Sequence, residues 1–326
     1  MPQHLSQVDK ELEKVLATDN QLIAEPLARL IGAGGKRLRP TLVIATAASG
    51  GKKINKRVIA GCVAVELVHL GSLVHDDIID NSFTRWNVPT INAKEGPNHA
   101  VIIGDYLFSK ACSETATLGS EAASLVASTI ARLCDGESRE LGDRHNKDRS
   151  IESLLRAIDG KTAALFSASC QIGGLCAGLD ADKIAALGQY GHQLGVAFQL
   201  IDDLLDFLST PKLMGKPVGS DVAEGTYTMP LLLALSGPNS NKVRTLLANR
   251  KASCTEITEI LLNDGSIEKT ILEIKKYNRS AGKALGSFND TSAKVGLKNL
   301  PDVYLNWSLS NLIAKSYRPT VAKFIA

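Results

Sequence analysis

Apolar residues recur at three- and four-residue spacing through 54–80, 100–116, 119–135, 151–178, 182–209, 255–263 and 267–277. That is the period of helices with one buried face. β-type alternation is scarce, and strand-like runs between turn dipeptides are missing. Breaks fall at Gly32–Gly35, Gly50–Gly51, Asn87–Pro89, Gly96–Pro97, Asp143–Asp148, Pro211–Gly225 and Gly237–Asn241. Most are short, as expected for connections between antiparallel helices. No Pro/Ser/Gly linker divides the chain, and its last fifty residues are less regular. The pattern predicts a single all-α domain over residues 1–326.

Two stretches are apolar enough to imitate a membrane span. Residues 162–179, TAALFSASCQIGGLCAGL, carry no charge. They are only of minimum spanning length, and their Ser, Thr, Gln and Gly favour a buried central helix. Val58–Val74 carries Glu66 and His69, which suits a protein core better than lipid. The expectation is a chain that is not transmembrane.

Against this apolar background one acidic pattern appears twice. Residues 76–80 read Asp-Asp-Ile-Ile-Asp and residues 202–206 read Asp-Asp-Leu-Leu-Asp, within LGSLVHDDIID and FQLIDDLLDF. Carboxylates among leucines and isoleucines are costly unless cations neutralise them. On helices, Asp76 and Asp80 share a face, as do Asp202 and Asp206, with Asp77 and Asp203 beside them. Two such faces turned toward each other would line a site for a hard divalent cation. Oxygen-only ligands argue for Mg²⁺ over zinc. The alternative for either copy alone is a solvated acidic face. His75 adjoins the first copy, but no His-x-x-x-His or nearby Cys suggests zinc.

The 326 residues are 44% hydrophobic and 22% charged, ordinary for a globular protein with a large core. A net charge of +3 without a dense basic block argues against a nucleic-acid partner. Six scattered cysteines, no Cys-x-x-Cys pair and no signal peptide read as free thiols in the cytoplasm.

Mg²⁺ is typically held by a few carboxylates together with substrate phosphates, so phosphate binders should be present. Residues 34–40, Gly-Gly-Lys-Arg-Leu-Arg-Pro, deliver three cations in a flexible turn. Lys36 and Arg39, three apart, would point the same way on a helix start. Lys161 in Gly160-Lys161-Thr162 opens the charge-free segment. Gln199 lies one helical turn before Asp202 and Asp203, and Lys216 lies in the loop after the second acidic copy. Read singly, these could be a basic surface turn, solvated lysines and a surface amide.

GGKRLRP, ELVHLGSLVHDDIID, GDYL, GKTAALF, GHQLGVAFQLIDDLLDF and GKPVGSDVAEG follow in this order over roughly residues 30–235. As an ordered set they resemble the trans-isoprenyl (polyprenyl) diphosphate synthases. The resemblance implies an isoprenoid-synthase-type helical bundle around a central cavity, usually a homodimer, with a heteromeric synthase subunit as an alternative. It implies that Mg²⁺ held by Asp76, Asp77, Asp80, Asp202, Asp203 and Asp206 grips an allylic diphosphate, farnesyl or geranylgeranyl. The allylic cation left by ionisation is then attacked by isopentenyl diphosphate. Lys36, Arg39 and His69 would bind isopentenyl diphosphate, and Arg85, Lys161 and Lys216 the allylic diphosphate. Thr162 and Gln199 would turn oxygens toward developing positive charge. The product would be a long-chain all-trans polyprenyl diphosphate, for example for a quinone side chain, released with peripheral membrane contact.

Two positions depart from the family pattern. Trp86 stands where a second Arg is usual, and Thr226 where Lys is usual. A terpene synthase of related fold is the alternative these departures favour. In the family, residues one turn before the first aspartate motif form the cavity floor. Here they are Gly71 and Ser72, small residues that predict an open floor and a long product.

Overall fold

The computed structural model describes residues 1–86, 88–214, 218–248 and 254–325. The backbone divides into two compact units. One comprises residues 1–133, 164–191 and 284–297; the other comprises 134–163, 192–283 and 298–326.

The first unit contains α1 (Pro2–Val15), α2 (Gln21–Gly32), α3 (Leu38–Ser49) and α4 (Lys56–Ile79). Strands β1 (Thr84–Arg85) and β2 (Val88–Pro89) follow, then α5 (Ile91–Glu95), α6 (Pro97–Ala116) and the start of α7 (Ser120–Gly142). The two strands pair antiparallel, Thr84 with Pro89 and Arg85 with Val88. α4 packs against α3, α6 and α9 (Ala164–Cys176). Covered on several sides, it is apolar nearly all round instead of amphipathic. Its start is set by Asn55, whose side chain accepts the Val58 amide. By length and composition α4 could cross a membrane, but 67% of its apolar window is buried within the protein. The thirteen residues of α9 are likewise buried almost throughout, as a central helix should be.

The second unit holds α8 (Ile151–Ile158), a π-helical turn (Asp159–Ala163) and most of α10 (Ala181–Leu208). It continues through α11 (Pro211–Met214), α12 (Ser220–Glu224), α13 (Met229–Leu235), α14 (Ser240–Ala248), α15 (Cys254–Asn263) and α16 (Ser266–Ala284). α17 (Ser292–Asn311) and α18 (Arg318–Val321) close it. Its core gathers Leu204, Leu205 and Leu208 of α10 with Leu231, Ile260, Ile271, Leu305 and Leu309.

The all-α expectation stands. Three details of the periodicity reading are corrected. The run at 151–178 is not one helix: the π-turn separates α8 from α9. The last fifty residues are more regular than expected. α17 runs for twenty residues through Pro301, a residue that normally argues against helix because it lacks an amide donor. Helices α1 to α3 add regular structure before the first strongly periodic span.

Candidate active site

In the first unit, the aspartates sit at the end of α4, where the helix is stopped by a defined turn. Asn81 adopts the left-handed conformation at φ 49°. Its amide reaches the Ile78 carbonyl at 3.2 Å, and the Ser82 amide reaches the Asp77 carbonyl at 2.9 Å. This is the Schellman closure, and it leaves Asp76, Asp77 and Asp80 in the last turn. Carboxylates there face the negative end of the helix dipole, which adds to their need for a cation. Asp77 is 4% exposed. Arg85 of β1 donates to its Oδ1 from Nε at 3.0 Å and from Nη2 at 2.8 Å. Burial nevertheless raises the Asp77 carboxyl above its ordinary range.

The basic turn has a different geometry from the one its spacing suggested. Arg37 is the residue before the helix, left-handed at φ 46°, and α3 starts at Leu38. Lys36 therefore lies outside the helix, and a shared helical face with Arg39 does not exist. Arg37 is held inward, donating to Asp9 at 2.9 Å and Glu66 at 2.7 Å. Arg39 lies over the Phe166 ring, 5.2 Å from its centroid. Its Nε is buried without a hydrogen-bond partner, and burial lowers its pKa to about 10. It stays charged at neutral pH. His69 is held neutral, well below the ordinary imidazole range, first by burial and then by Arg39, Arg85 and Arg37. Of the three guanidinium groups, Arg37 and Arg85 are paired with carboxylates, and Arg39 keeps a buried Nε without a partner, a donor suited to an anion.

Gly71 is buried against α6. A Cβ there would stand 2.9 Å from the Phe108 ring and 3.3 Å from the Gly104 carbonyl. Ser72 is half-buried and donates to the His69 carbonyl at 2.8 Å.

In the second unit, Lys161 and Thr162 lie on the π-turn, a helix irregularity frequent at functional sites. Gly136 of α7 admits it: a Cβ at Gly136 would lie 2.3 Å from the Lys161 amide nitrogen. The Lys161 ammonium is bracketed by Glu140 and, at 2.8 Å, Glu137. The Thr162 hydroxyl donates to the Gln199 side-chain carbonyl at 2.7 Å, and the Gln199 amide donates to Asp203 Oδ1 at 3.0 Å. Thr162, Gln199 and Asp203 thus form one chain.

Asp203 is 3% exposed. Its Oδ2 is buried without a hydrogen-bond partner. Burial pushes its carboxyl up to about 8, reinforced by Asp202, Glu140 and Asp206 and only partly offset by Gln199. Asp206, 1% exposed, is used differently. Its carboxylate accepts the Gly219 amide at 3.1 Å, the Ser220 hydroxyl at 3.2 Å and the Asp221 amide at 3.2 Å. It therefore pins the loop before α12. Lys216, in the same loop, lies outside the described residues.

The residues fit a hard cation. The donors are carboxylate oxygens, one of them buried and lacking a partner, and neutralising Asp203 would remove the burial penalty it carries. Among the described residues, no three His, Cys, Asp or Glu side chains form a closed chelate. An ion here needs oxygens from a ligand, as Mg²⁺ usually does.

Three residues went unremarked in the sequence. Glu137 and Glu140 are three apart on α7, so their shared face was legible as an i, i+3 acidic pair in GESRE. Phe108 carried no local signal, because its place behind Gly71 depends on α4 packing against α6.

A helical scaffold with two carboxylate triads, a guanidinium cluster and a half-buried lysine defines an isoprenoid-synthase-type enzyme. The sequence profile of the polyprenyl synthetases matches residues 20–263. The chain is 41% identical over 285 residues to heptaprenyl diphosphate synthase component 2 of Geobacillus stearothermophilus, covering 86% of this chain and 88% of that one. It is 35% identical over 312 residues to the nonaprenyl diphosphate synthase of Mycobacterium tuberculosis, covering 95% and 90%. A Caulobacter crescentus polyprenyl synthase, crystallised with calcium and isoprenyl diphosphate, superposes with a TM-score of 0.87 at 31% identity, covering 93% and 94%. The chain belongs to the polyprenyl synthetase family and is a trans-prenyltransferase.

Proposed function

We propose that this enzyme condenses isopentenyl diphosphate with farnesyl or geranylgeranyl diphosphate, releasing a long-chain all-trans polyprenyl diphosphate and inorganic diphosphate. The relatives' names, from heptaprenyl to nonaprenyl, support a long product. The observation that carries the chemistry is the buried, partnerless oxygen of Asp203. The two triads would hold Mg²⁺, which supplies charge neutralisation for the departing diphosphate. Arg85 and Lys161 would take the allylic diphosphate, Lys161 exchanging its glutamates for phosphate oxygens. Lys216 is assigned to the same anion.

Lys36, Arg39 and neutral His69 would bind isopentenyl diphosphate, where the buried Arg39 Nε lacks a partner. Trp86 replaces one usual cation there, and its ring lies 3.9 Å from the Cβ position at Gly35. The Thr162 hydroxyl and the Gln199 carbonyl present oxygen dipoles to developing positive charge. Water must be kept from an allylic cation, and the apolar lengths of α4 and α10 suit that task. Gly71 and Ser72 would lie beside the growing chain, with Phe108 filling the space behind Gly71.

The test is incubation of the purified chain with farnesyl diphosphate, labelled isopentenyl diphosphate and Mg²⁺. Incorporation into products longer than four isoprene units is expected, and EDTA should abolish it. Volatile product without isopentenyl diphosphate would instead favour terpene synthesis. A second reading is favoured by the name of the Geobacillus relative, a "component 2": the chain would be the catalytic subunit of a heteromer. Folded but inactive protein that gains activity from a cognate partner would select it over the homodimer.

A further inference from the structure

The Arg37 side chain is 9% exposed, whereas Lys36 beside it is exposed. Arg37 is therefore the inward-facing cation of the turn at 34–40. Its backbone is left-handed at φ 46°. A residue with a Cβ enters that region at a cost and stays where its surroundings hold it. Gly34 is left-handed as well, at φ 88°, but glycine goes there freely. The strain of the turn falls on Arg37, and its side chain shows what holds it. Nε donates to Asp9 of α1 at 2.9 Å, and Nη1 donates to Glu66 of α4 at 2.7 Å. The Arg37 carbonyl accepts the Thr41 amide at 3.0 Å and the Thr41 hydroxyl at 2.8 Å, at the start of α3. One residue thus joins three helices.

Packing on the outer side of the turn contributes little. An open groove of ≈ 460 Å³ lies there, lined by Asp9 of α1, Ile31 of α2, Gly34 and Arg37 among others. A Cβ added at Gly32 or Gly34 would meet nothing within 4 Å. A turn so loosely covered takes its position from directional bonds, and the two ion pairs of Arg37 supply them.

The inner anchor has a second connection. Glu66 stands three residues before His69 on α4, on the same side of the helix. It is 3% exposed. One carboxylate oxygen takes Arg37, and the other, Oε2, is buried without a hydrogen-bond partner. Its charge also acts on Arg39, whose buried Nε lacks a partner too. A carboxylate bonded to Arg39 would occupy the donor that a diphosphate needs. Bonded to Arg37 instead, Glu66 holds the turn and leaves the Arg39 Nε to a ligand.

We infer that Arg37 is a positioning residue, held by Asp9 and Glu66 so that the turn presents Lys36 and Arg39 to a diphosphate. Naming that diphosphate as isopentenyl diphosphate rests on the proposed function; the positioning does not.

The test is calorimetric titration of the full chain, with Mg²⁺, by two ligands separately. One is isopentenyl diphosphate. The other is farnesyl thiodiphosphate, an allylic analogue that ionises too slowly to turn over, so binding is read whether or not the chain is active alone. Arg39→Gln marks which ligand the turn serves. Arg37→Gln should weaken isopentenyl diphosphate about ten-fold, as misplacement of a binding group does, and farnesyl thiodiphosphate less than about two-fold. Asp9→Asn removes a half-exposed partner and should cost about two- to five-fold on the same ligand. The double variant D9N/R37Q should bind within about two-fold of R37Q, because the two residues act through one bond. Parent affinity in R37Q, where R39Q has lost it, would overturn the proposal and leave the site assignment standing. Equal losses on both ligands would also overturn it, since general damage does not choose between them. Losses by R37Q and R39Q confined to the thiodiphosphate would uphold the positioning and remove the assignment to isopentenyl diphosphate. Unchanged binding of both ligands in R37Q and R39Q alike would remove both. If R37Q fails to fold, unchanged binding by folded D9N overturns the proposal.

Discussion

The two aspartate triads have the same spacing and the same apolar neighbours, yet they are stabilised in different ways. The first ends a helix and has guanidinium groups around it: Arg85 grips Asp77, and burial, helped by Arg39, Arg85 and Arg37, keeps His69 neutral. The second lies within α10 among other acids: Asp202, Glu140 and Asp206 all act on Asp203. In the first region guanidinium groups stand against the carboxylates, whereas the charges acting on Asp203 are other acids. The pattern Asp-Asp-x-x-Asp therefore does not define an environment. The first triad has a protein cation built in. The second keeps a buried carboxyl oxygen without a partner, and its charge must be completed by something that binds.

The largest expected effects break this comparison at its centre. Asp77→Asn and Asp203→Asn should each lower kcat by about 10³-fold or more, as loss of a group stabilising transition-state charge does. Their stabilities should diverge. In EDTA at pH 9, Asp203→Asn should melt several degrees above the parent, because it removes a carboxylate that burial disfavours. Asp77→Asn should gain less, since Arg85 already offsets part of its burial. Added Mg²⁺ and diphosphate should raise the parent's Tm and leave that of Asp203→Asn nearly unchanged. Equal Tm changes in the two variants would show that the environments do not differ as described.

Thr162→Val sharpens the second half alone. It removes the donor to Gln199 and frees the Gln199–Asp203 hydrogen bond to rearrange. The expected loss is about 10–100-fold in kcat with little change in the KM for isopentenyl diphosphate. A KM effect without a kcat effect would reassign Thr162 to substrate binding.

Much of this contrast was legible in the sequence. Both triads, Lys161 and Gln199 could be found from spacing and residue type, because local chemistry was enough to mark them, whereas Arg85 came only with the family resemblance. The distinction between Asp77 and Asp203 was not legible, since each follows an Asp and precedes two apolar residues. What separates them is a hairpin that returns Arg85 to Asp77 and helices that cover Asp203, both products of packing. Lys36 and Arg39 illustrate the same limit. Their spacing suited a helix face, but a left-handed Arg37 delays the helix until Leu38. The role of Pro301 inside α17 is a third case, where tertiary packing overrides a local preference.

Ser72→Phe tests the floor beside the first triad. Ser72 is half-buried, so an aromatic ring can be placed there without the overlap that Phe108 imposes at Gly71. Product length should shorten by one or more isoprene units, read by chromatography of the dephosphorylated products. Gly71→Phe should instead cost solubility or Tm, because Phe108 already occupies that space. An unchanged product from folded Ser72→Phe would place the limit deeper along α4.

The smallest expected effect concerns pH, and it sets the two halves against each other. His69 is held neutral in the folded protein well below its ordinary pKa. Below about pH 6.5 the unfolded chain takes up a proton there that the folded chain refuses. Its contribution to stability is present above that pH and is lost as the pH falls. Asp203 has the opposite sign: with a folded pKa of about 8, the folded chain retains a proton that the unfolded chain has released. Its contribution is present at acid pH and is lost as the pH rises from about 4 through 8. In EDTA, His69→Gln should therefore flatten the fall in Tm below about pH 6.5 and leave the alkaline limb alone. Asp203→Asn should flatten the alkaline limb and leave the acid one. Melting curves of both variants between about pH 5 and 9 would separate the two contributions, and a loss of the same limb in both would contradict their opposite signs.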